Sequence, residues 1–122
     1  MIDRKWALEF AASWIAAFNS HDLETIFSFY DDAFTMSSPY IQERMGVASG
    51  ILEGKTQVRP YWEKSLAADP PVKFDLIDVF TGVASIVICY KSIGRKVVCE
   101  SLTFNKAGRI TSGISQHGAT LP

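Results

Sequence analysis

Residues 96–104, Lys-Val-Val-Cys-Glu-Ser-Leu-Thr-Phe, decide how the chain is read. The stretch is rich in β-branched and aromatic residues and alternates, which predicts a strand. Val98, Glu100, Leu102 and Phe104 fall on one face; Val97, Cys99, Ser101 and Thr103 fall on the other. The first set is the more apolar and is expected to face the core, yet Glu100 sits in its middle. A carboxylate there loses hydration, so burial favours its neutral form. Such a group is either paired with an arginine or close to an open edge, or it is held for binding or chemistry.

The neighbouring strands extend this face. Asn105-Lys106-Ala107-Gly108 signals a hairpin built on a type I turn with glycine in the left-handed position. The register that follows sets Arg109 opposite Asn105 and Ile114 opposite Glu100. It assigns Ile110, Ser112, Ile114 and Gln116 to the face of Glu100. Ser92-Ile93-Gly94 closes the preceding hairpin and brings Ile86, Ile88 and Tyr90 there too. Residues 72–80 form a further strand, apolar on both faces, so whether Asp78 looks inward or outward stays open. Cys89 and Cys99 lie on the opposite face of neighbouring strands and read as free thiols.

Before these strands the pattern is helical. Over residues 3–19, Trp6, Phe10, Trp14 and Phe18 recur every fourth position, with alanines at 11, 12, 16 and 17. The indole N–H of Trp14 needs a partner if buried. Ser20 is the expected N-cap of a second helix carrying Leu23, Ile26, Phe27 and Tyr30 at helical spacing. His21 reads as an exposed turn residue. A short strand over residues 33–37 ends at Ser38-Pro39. Residues 40–50 read as a flexible loop or a loose hairpin. A third helix starts at Lys55 or Arg59, with Pro60 a possible marker of its first turn, and runs to Ala68. It would bury Val58, Tyr61, Trp62, Ser65 and Leu66 before Asp69-Pro70-Pro71 stops it.

The bulk properties exclude several classes. With 122 residues, one domain spanning 1–122 is expected, large enough to enclose a pocket. The net charge of −1 carries no electrostatic footprint for nucleic acid. No apolar run reaches the length of a membrane span, and the amphipathic N-terminus lacks a signal-peptide core. A cytoplasmic protein with reduced cysteines is the resulting expectation. The two histidines share no metal-ligand spacing with a cysteine, so no metal or other cofactor is expected.

Local sequence then points to a family. Ala-Ala-Phe-Asn-Ser-His-Asp-Leu (16–23), Phe-Tyr-Asp-Asp-Ala (29–33) and Pro39 resemble ketosteroid isomerases and SnoaL-like proteins. So do Gly-Arg-Lys (94–96) and Phe-Asn-Lys-Ala-Gly-Arg-Ile (104–110). The resemblance covers nearly the whole chain except the extra residues between Pro39 and Gly50. It implies the α+β fold of the nuclear-transport-factor-2-like (NTF2-like), cystatin-like group. In that fold a cone-shaped, curved antiparallel β-sheet wraps three helices from the N-terminal half. In ketosteroid isomerases an aspartate base precedes the proline, and the matching residue is Ser38. The oxyanion-donating tyrosine of the first helix matches Trp14, and the neutral acid that donates beside it matches Glu100. The neutral acid of that enzyme family is itself a well-known case of a carboxyl kept uncharged by an apolar site. Supporting aromatics match Tyr30 and Trp62. With serine at the base position, steroid isomerisation is not expected, because a hydroxyl needs a base beside it to take a carbon-bound proton.

These readings converge on a pocket for an apolar small molecule. Glu100, Trp14 and Ser38 are its candidate catalytic residues. Phe18, Tyr30, Met36, Tyr61, Trp62, Tyr90, Leu102, Ser112, Ile114 and Gln116 are its candidate ligand contacts. Isomerisation, cyclisation or hydration of an apolar carbonyl compound would use Glu100 as the acid–base group. Ligand binding without catalysis, and an interaction module using the outer sheet face, are the competing readings. A homodimer through that face is expected, because Ile77 and Val79, or their alternates, and Val87 would otherwise meet water.

Overall fold

The computed structural model describes residues 1–122. Helix α1 (Arg4–Asn19) opens with Asp3 accepting the N–H of Trp6. Its buried residues, Ala7, Ala11, Trp14, Ile15, Ala17 and Phe18, make one face that packs on the sheet. Trp6 and Phe10 of the expected stripe join Phe104 and Phe29 in a separate aromatic cluster. Helix α2 (Leu23–Phe27) is capped by Asp22, whose side chain accepts from Thr25. Ser20 instead closes α1.

Strand β1 (Tyr30–Ser37) begins earlier than expected. Tyr30, assigned to the second helix by spacing, is its first residue. Residues 40–50 are neither loop nor hairpin. They contain helix α3 (Pro39–Met45), with Ser38 as N-cap, Pro39 at the first helical position and Gly46 left-handed at φ 67° as the stop. Strand β2 (Ile51–Glu53) then pairs with β1. Helix α4 (Gly54–Leu66) contains Pro60 in its interior, so the proline does not mark the start. Burial of Val58, Tyr61 and Trp62 around it carries the helix through a residue of poor propensity.

Strands β3 (Asp75–Thr81), β4 (Ser85–Lys91), β5 (Lys96–Phe104) and β6 (Ile110–Thr120) complete a six-stranded sheet in the order β2-β1-β6-β5-β4-β3. The α+β class is as expected. The sheet is antiparallel except where β1 runs parallel to β6, and α3 adds a fourth helix. The helices cover the inner face and the outer face stays open.

Two features revise the expected geometry of the strands. The turn over residues 105–109 forms as anticipated, with Gly108 at φ 78° and Asn105 N–H donating to Arg109 O at 2.9 Å. Immediately after it, Phe104 pairs with Ile110 but Thr103 pairs with Ser112. Thr111 is therefore an extra residue, a β-bulge, and the side chains from Ser112 to His117 change face. Ser115, not Ile114, stands opposite Glu100. On β3, a second register shift between Leu76 and Asp78 turns Val79 inward and leaves Ile77 and Phe80 exposed. Asp78 faces Arg4 at the sheet edge, 3.4 Å away, outside the cavity.

The cysteines are also corrected. Cys89 and Cys99 are directly paired across β4 and β5, with Cα atoms 4.2 Å apart, and form a disulfide. That spacing belongs to a non-hydrogen-bonded cross-strand pair, where the two side chains approach each other. No helix is long and apolar enough to cross a membrane.

Candidate functional site

Between the inner sheet face and helices α1, α3 and α4 lies a cavity of about 330 Å³. Strand β5 supplies Glu100 and Val98, β4 supplies Tyr90, and the bulge in β6 delivers Ser115 and His117. The loop after α4 closes one side. It is tied down by Asn19, whose side chain donates to Phe74 O at 3.0 Å and accepts from Phe74 N–H at 2.7 Å. Phe74 then stacks on Tyr90 with ring centroids 4.1 Å apart.

Glu100 is 5% exposed. Tyr90 Oη donates to its Oε1 at 3.0 Å, and Ser115 Oγ donates to the same oxygen. Burial pushes the carboxyl up to about 7, against the pull of the Ser115 and Tyr90 hydrogen bonds, which favour the charged form. Its other oxygen, Oε2, makes no hydrogen bond within the chain and is not sealed from the cavity. With two hydroxyls aimed at Oε1, the proton of the neutral acid belongs on Oε2. The group therefore offers either a donor or a base to a ligand near neutral pH. Arg59 of α4 pairs with Glu24 at 2.9 Å and not with Glu100.

Trp14 is fully buried, and its Nε1–H donates to Tyr30 Oη at 3.0 Å. The indole proton expected to meet a ligand is thus already used. The Tyr30 hydroxyl keeps its own proton, which makes no hydrogen bond within the chain, so Tyr30 is the donor available to a ligand oxygen. Burial, with nearby Glu100, raises its pKa and keeps it protonated. Burial raises Tyr61 and Tyr90 likewise. Ser38 is 3% exposed, and its Oγ accepts the N–H of Tyr40 at 3.2 Å. Tyr61 Oη stands 3.5 Å from that oxygen. The base position thus holds a helix cap.

Phe18, Met36, Tyr61 and Trp62 also line the cavity, together with Glu100, Trp14, Ser38, Tyr30 and Tyr90. Four candidates do not. Leu102 faces inward but is fully buried in the core. Ser112, Ile114 and Gln116 were assigned to the face of Glu100, and the bulge at Thr111 moves them off it. Gln116 accepts from Ser101 on the outer face instead. Sequence reasoning missed Ser115 and His117 for the same reason. It missed Tyr40 and Arg44 because α3 was read as loop, although Ser38-Pro39 and Gly46 were cap signals.

A curved sheet and helices around a cavity with one buried carboxyl make the fold of the nuclear-transport-factor-2-like class. Within it, residues 11–112 match the SnoaL-like domain, and the chain belongs to that family. A SnoaL-like protein of unknown function from Burkholderia thailandensis is 36% identical, with a TM-score of 0.92 over 97% of this chain and 98% of that one. A putative SnoaL-like polyketide cyclase from Shewanella denitrificans is similar at 14% identity, TM-score 0.72, over 94% and 92%. So is SalBIII, an epoxide hydrolase/cyclase-like enzyme in pyran ring formation in polyether salinomycin. It is 20% identical with a TM-score of 0.74, over 98% and 96%. These last two likenesses show the fold alone. Among curated proteins, none matches the sequence.

Proposed function

We propose that the protein binds an apolar carbonyl compound in this cavity and that Glu100 moves a proton on it, as an isomerase, cyclase or hydratase would. The observation that carries the reading is a buried carboxyl poised at about 7 with one oxygen open to the cavity. In the charged form Oε2 takes a proton from a carbon beside the carbonyl. The oxygen of the resulting enolate accepts a hydrogen bond from Tyr30, which Trp14 holds in place. Protonated Glu100 then returns the proton to another atom of the ligand. The cyclase-like neighbours of the same fold are consistent with this chemistry. Binding without catalysis is the second reading, favoured by Ser38, whose Oγ is engaged with Tyr40 N–H where a base would stand.

The chain is also proposed to form a homodimer through the outer sheet face. Register places Phe80, Val87, Ser101, Ile114, Ser37 and Ile51 in one row across all six strands. Of these, Phe80 is 55% exposed, Ile51 45% and Ile114 41%. A row with four apolar members, three of them exposed, suits a second copy better than water.

Hydrogen–deuterium exchange of 2-tetralone, a small apolar ketone, tests the catalytic reading. Proton NMR should show faster loss of the protons beside the carbonyl with the native chain than in buffer. Glu100→Gln should abolish that acceleration yet keep ketone binding. Binding with no acceleration would leave the binder reading, and no binding would overturn both.

A further inference from the structure

The cavity has a second polar end that proton transfer at Glu100 does not use. Arg44, in the last turn of α3, lines the cavity where it opens to solvent, and so does half-buried His117 from β6. Both are gathered on the Tyr40 ring. The Arg44 guanidinium lies 4.1 Å from the ring centroid, and the His117 ring meets it edge-on with centroids 4.4 Å apart. Lys96 Nζ of β5 approaches the same ring to 5.7 Å. Tyr40 is itself held by the Ser38 cap, so the cluster sits on a fixed helix.

Arg44 is not neutralised. Its Nη1 donates to Ser65 Oγ at 3.2 Å, and no carboxylate lies within ion-pair distance of it. Asp69 on the loop after α4 shares the rim and Glu43 adjoins it on α3. Burial, with Lys96 and Arg44 nearby, lowers the pKa of His117, so at neutral pH it is an uncharged imidazole that can donate one N–H. Among the lining residues the rim thus presents one permanent cation, Arg44, with free donors in a planar fork, plus one imidazole donor, and Lys96 adds positive charge behind them. That set matches a single carboxylate.

Resting on the proposed function of the same site, we infer that the ligand is an apolar carboxylic acid bound with its carboxylate at Arg44 and His117. Its apolar body fills the aromatic walls, and its reacting end reaches Glu100 and Tyr30. The two polar ends fix which way the ligand enters. A neutral ketone can enter the cavity without this anchor, so the 2-tetralone exchange and the anchoring can fail separately.

The test compares 2-naphthylacetate with its neutral, nearly isosteric amide, 2-naphthylacetamide, by isothermal titration calorimetry at neutral pH. The acetate should bind about tenfold more tightly, and the advantage should shrink at high salt. Arg44→Gln should erase the advantage by weakening acetate binding far more than amide binding, and Arg44→Lys should restore part of it. Glu100→Gln should leave the advantage intact. Circular dichroism checks that each variant is folded, which the exposure of Arg44 favours. Equal affinity for the two probes would overturn the inference, as would an advantage that survives Arg44→Gln. An advantage lost in Glu100→Gln instead would mean that the carboxylate sits at the wrong end. Failure of both probes to bind, with 2-tetralone exchange still accelerated, would overturn the anchor alone.

Discussion

Replacing Glu100 by Gln should make the folded protein more stable at alkaline pH. The amide oxygen can accept from Tyr90 and Ser115 as Oε1 does, and the amide N–H group stands where the neutral acid carries its proton. The carboxyl is raised from an ordinary 4.5 to about 7 by burial. At about 1.4 kcal/mol for each tenfold change in proton affinity, that separation is worth roughly 3 kcal/mol. The sign follows from proton counting. Below the unfolded value both states hold the proton, and the relative stabilisation is complete. Between 4.5 and about 7 the unfolded chain releases its proton while the folded chain keeps it, so stability falls as pH rises. Past the folded value the loss is complete. The Gln variant has no such proton, so its advantage over the native chain should grow by roughly 3 kcal/mol from acid to mildly alkaline pH. Urea unfolding across that range measures it, with unchanged slopes confirming that the same surface is exposed. A difference that stays flat, or one that grows toward acid, would mean that the two hydroxyls hold Glu100 charged, and the central premise of the site would fail.

Tyr90→Phe removes the 3.0 Å donor that favours the charged carboxylate. The Glu100 midpoint, read by carbon-13 NMR of the labelled carboxyl, should move up, and stability should fall by about 1 kcal/mol; a downward move would contradict the hydrogen-bond assignment. For the outer face, sedimentation at micromolar concentration should give the dimer mass, and Phe80→Lys should shift it toward the monomer. A native chain that stays monomeric at high concentration would refute the pairing.

Much of the fold was legible because its signals are local. The face of β5 follows from alternation within one strand, and the turn at residues 105–108 follows from where glycine tolerates a left-handed backbone. Helix α1 follows from a stripe of four aromatic residues. The errors have physical causes of two kinds. Tyr30 fits helical spacing from Leu23, yet α2 lasts five residues and the chain straightens at Tyr30, where β6 offers a partner strand. Helix α3 is short, and Ser-Pro fits an extended turn as well as it fits a helix that Ser38 caps and Pro39 opens. The disulfide needed the register of β4 on β5, which was available. The expected cytoplasmic compartment speaks for free thiols, and alternation within each strand shows only that both cysteines share a face.

The site was less legible than the fold, for a reason that Glu100 and Ser115 make plain. That Glu100 is buried is a property of its own strand, so sequence can show it. Which hydroxyl reaches it is a property of register between two strands, and register here depends on one residue, Thr111. A β-branched residue next to a hairpin fits a regular strand at least as well as a bulge, so nothing local marks the slip. One extra residue exchanges Ile114 and Gln116 for Ser115 and His117 and converts an apolar wall into a hydrogen-bond partner at one end and an imidazole at the other. The same logic separates Trp14 from its expected task. Its position on α1 was readable, but Tyr30 accepts its proton only because β1 begins early enough to bring that hydroxyl within 3.0 Å. The donor offered to a ligand then becomes Tyr30 instead of Trp14. Residue types at matched positions thus locate a pocket of this fold, while the proton inventory inside it follows from bulges, caps and strand ends.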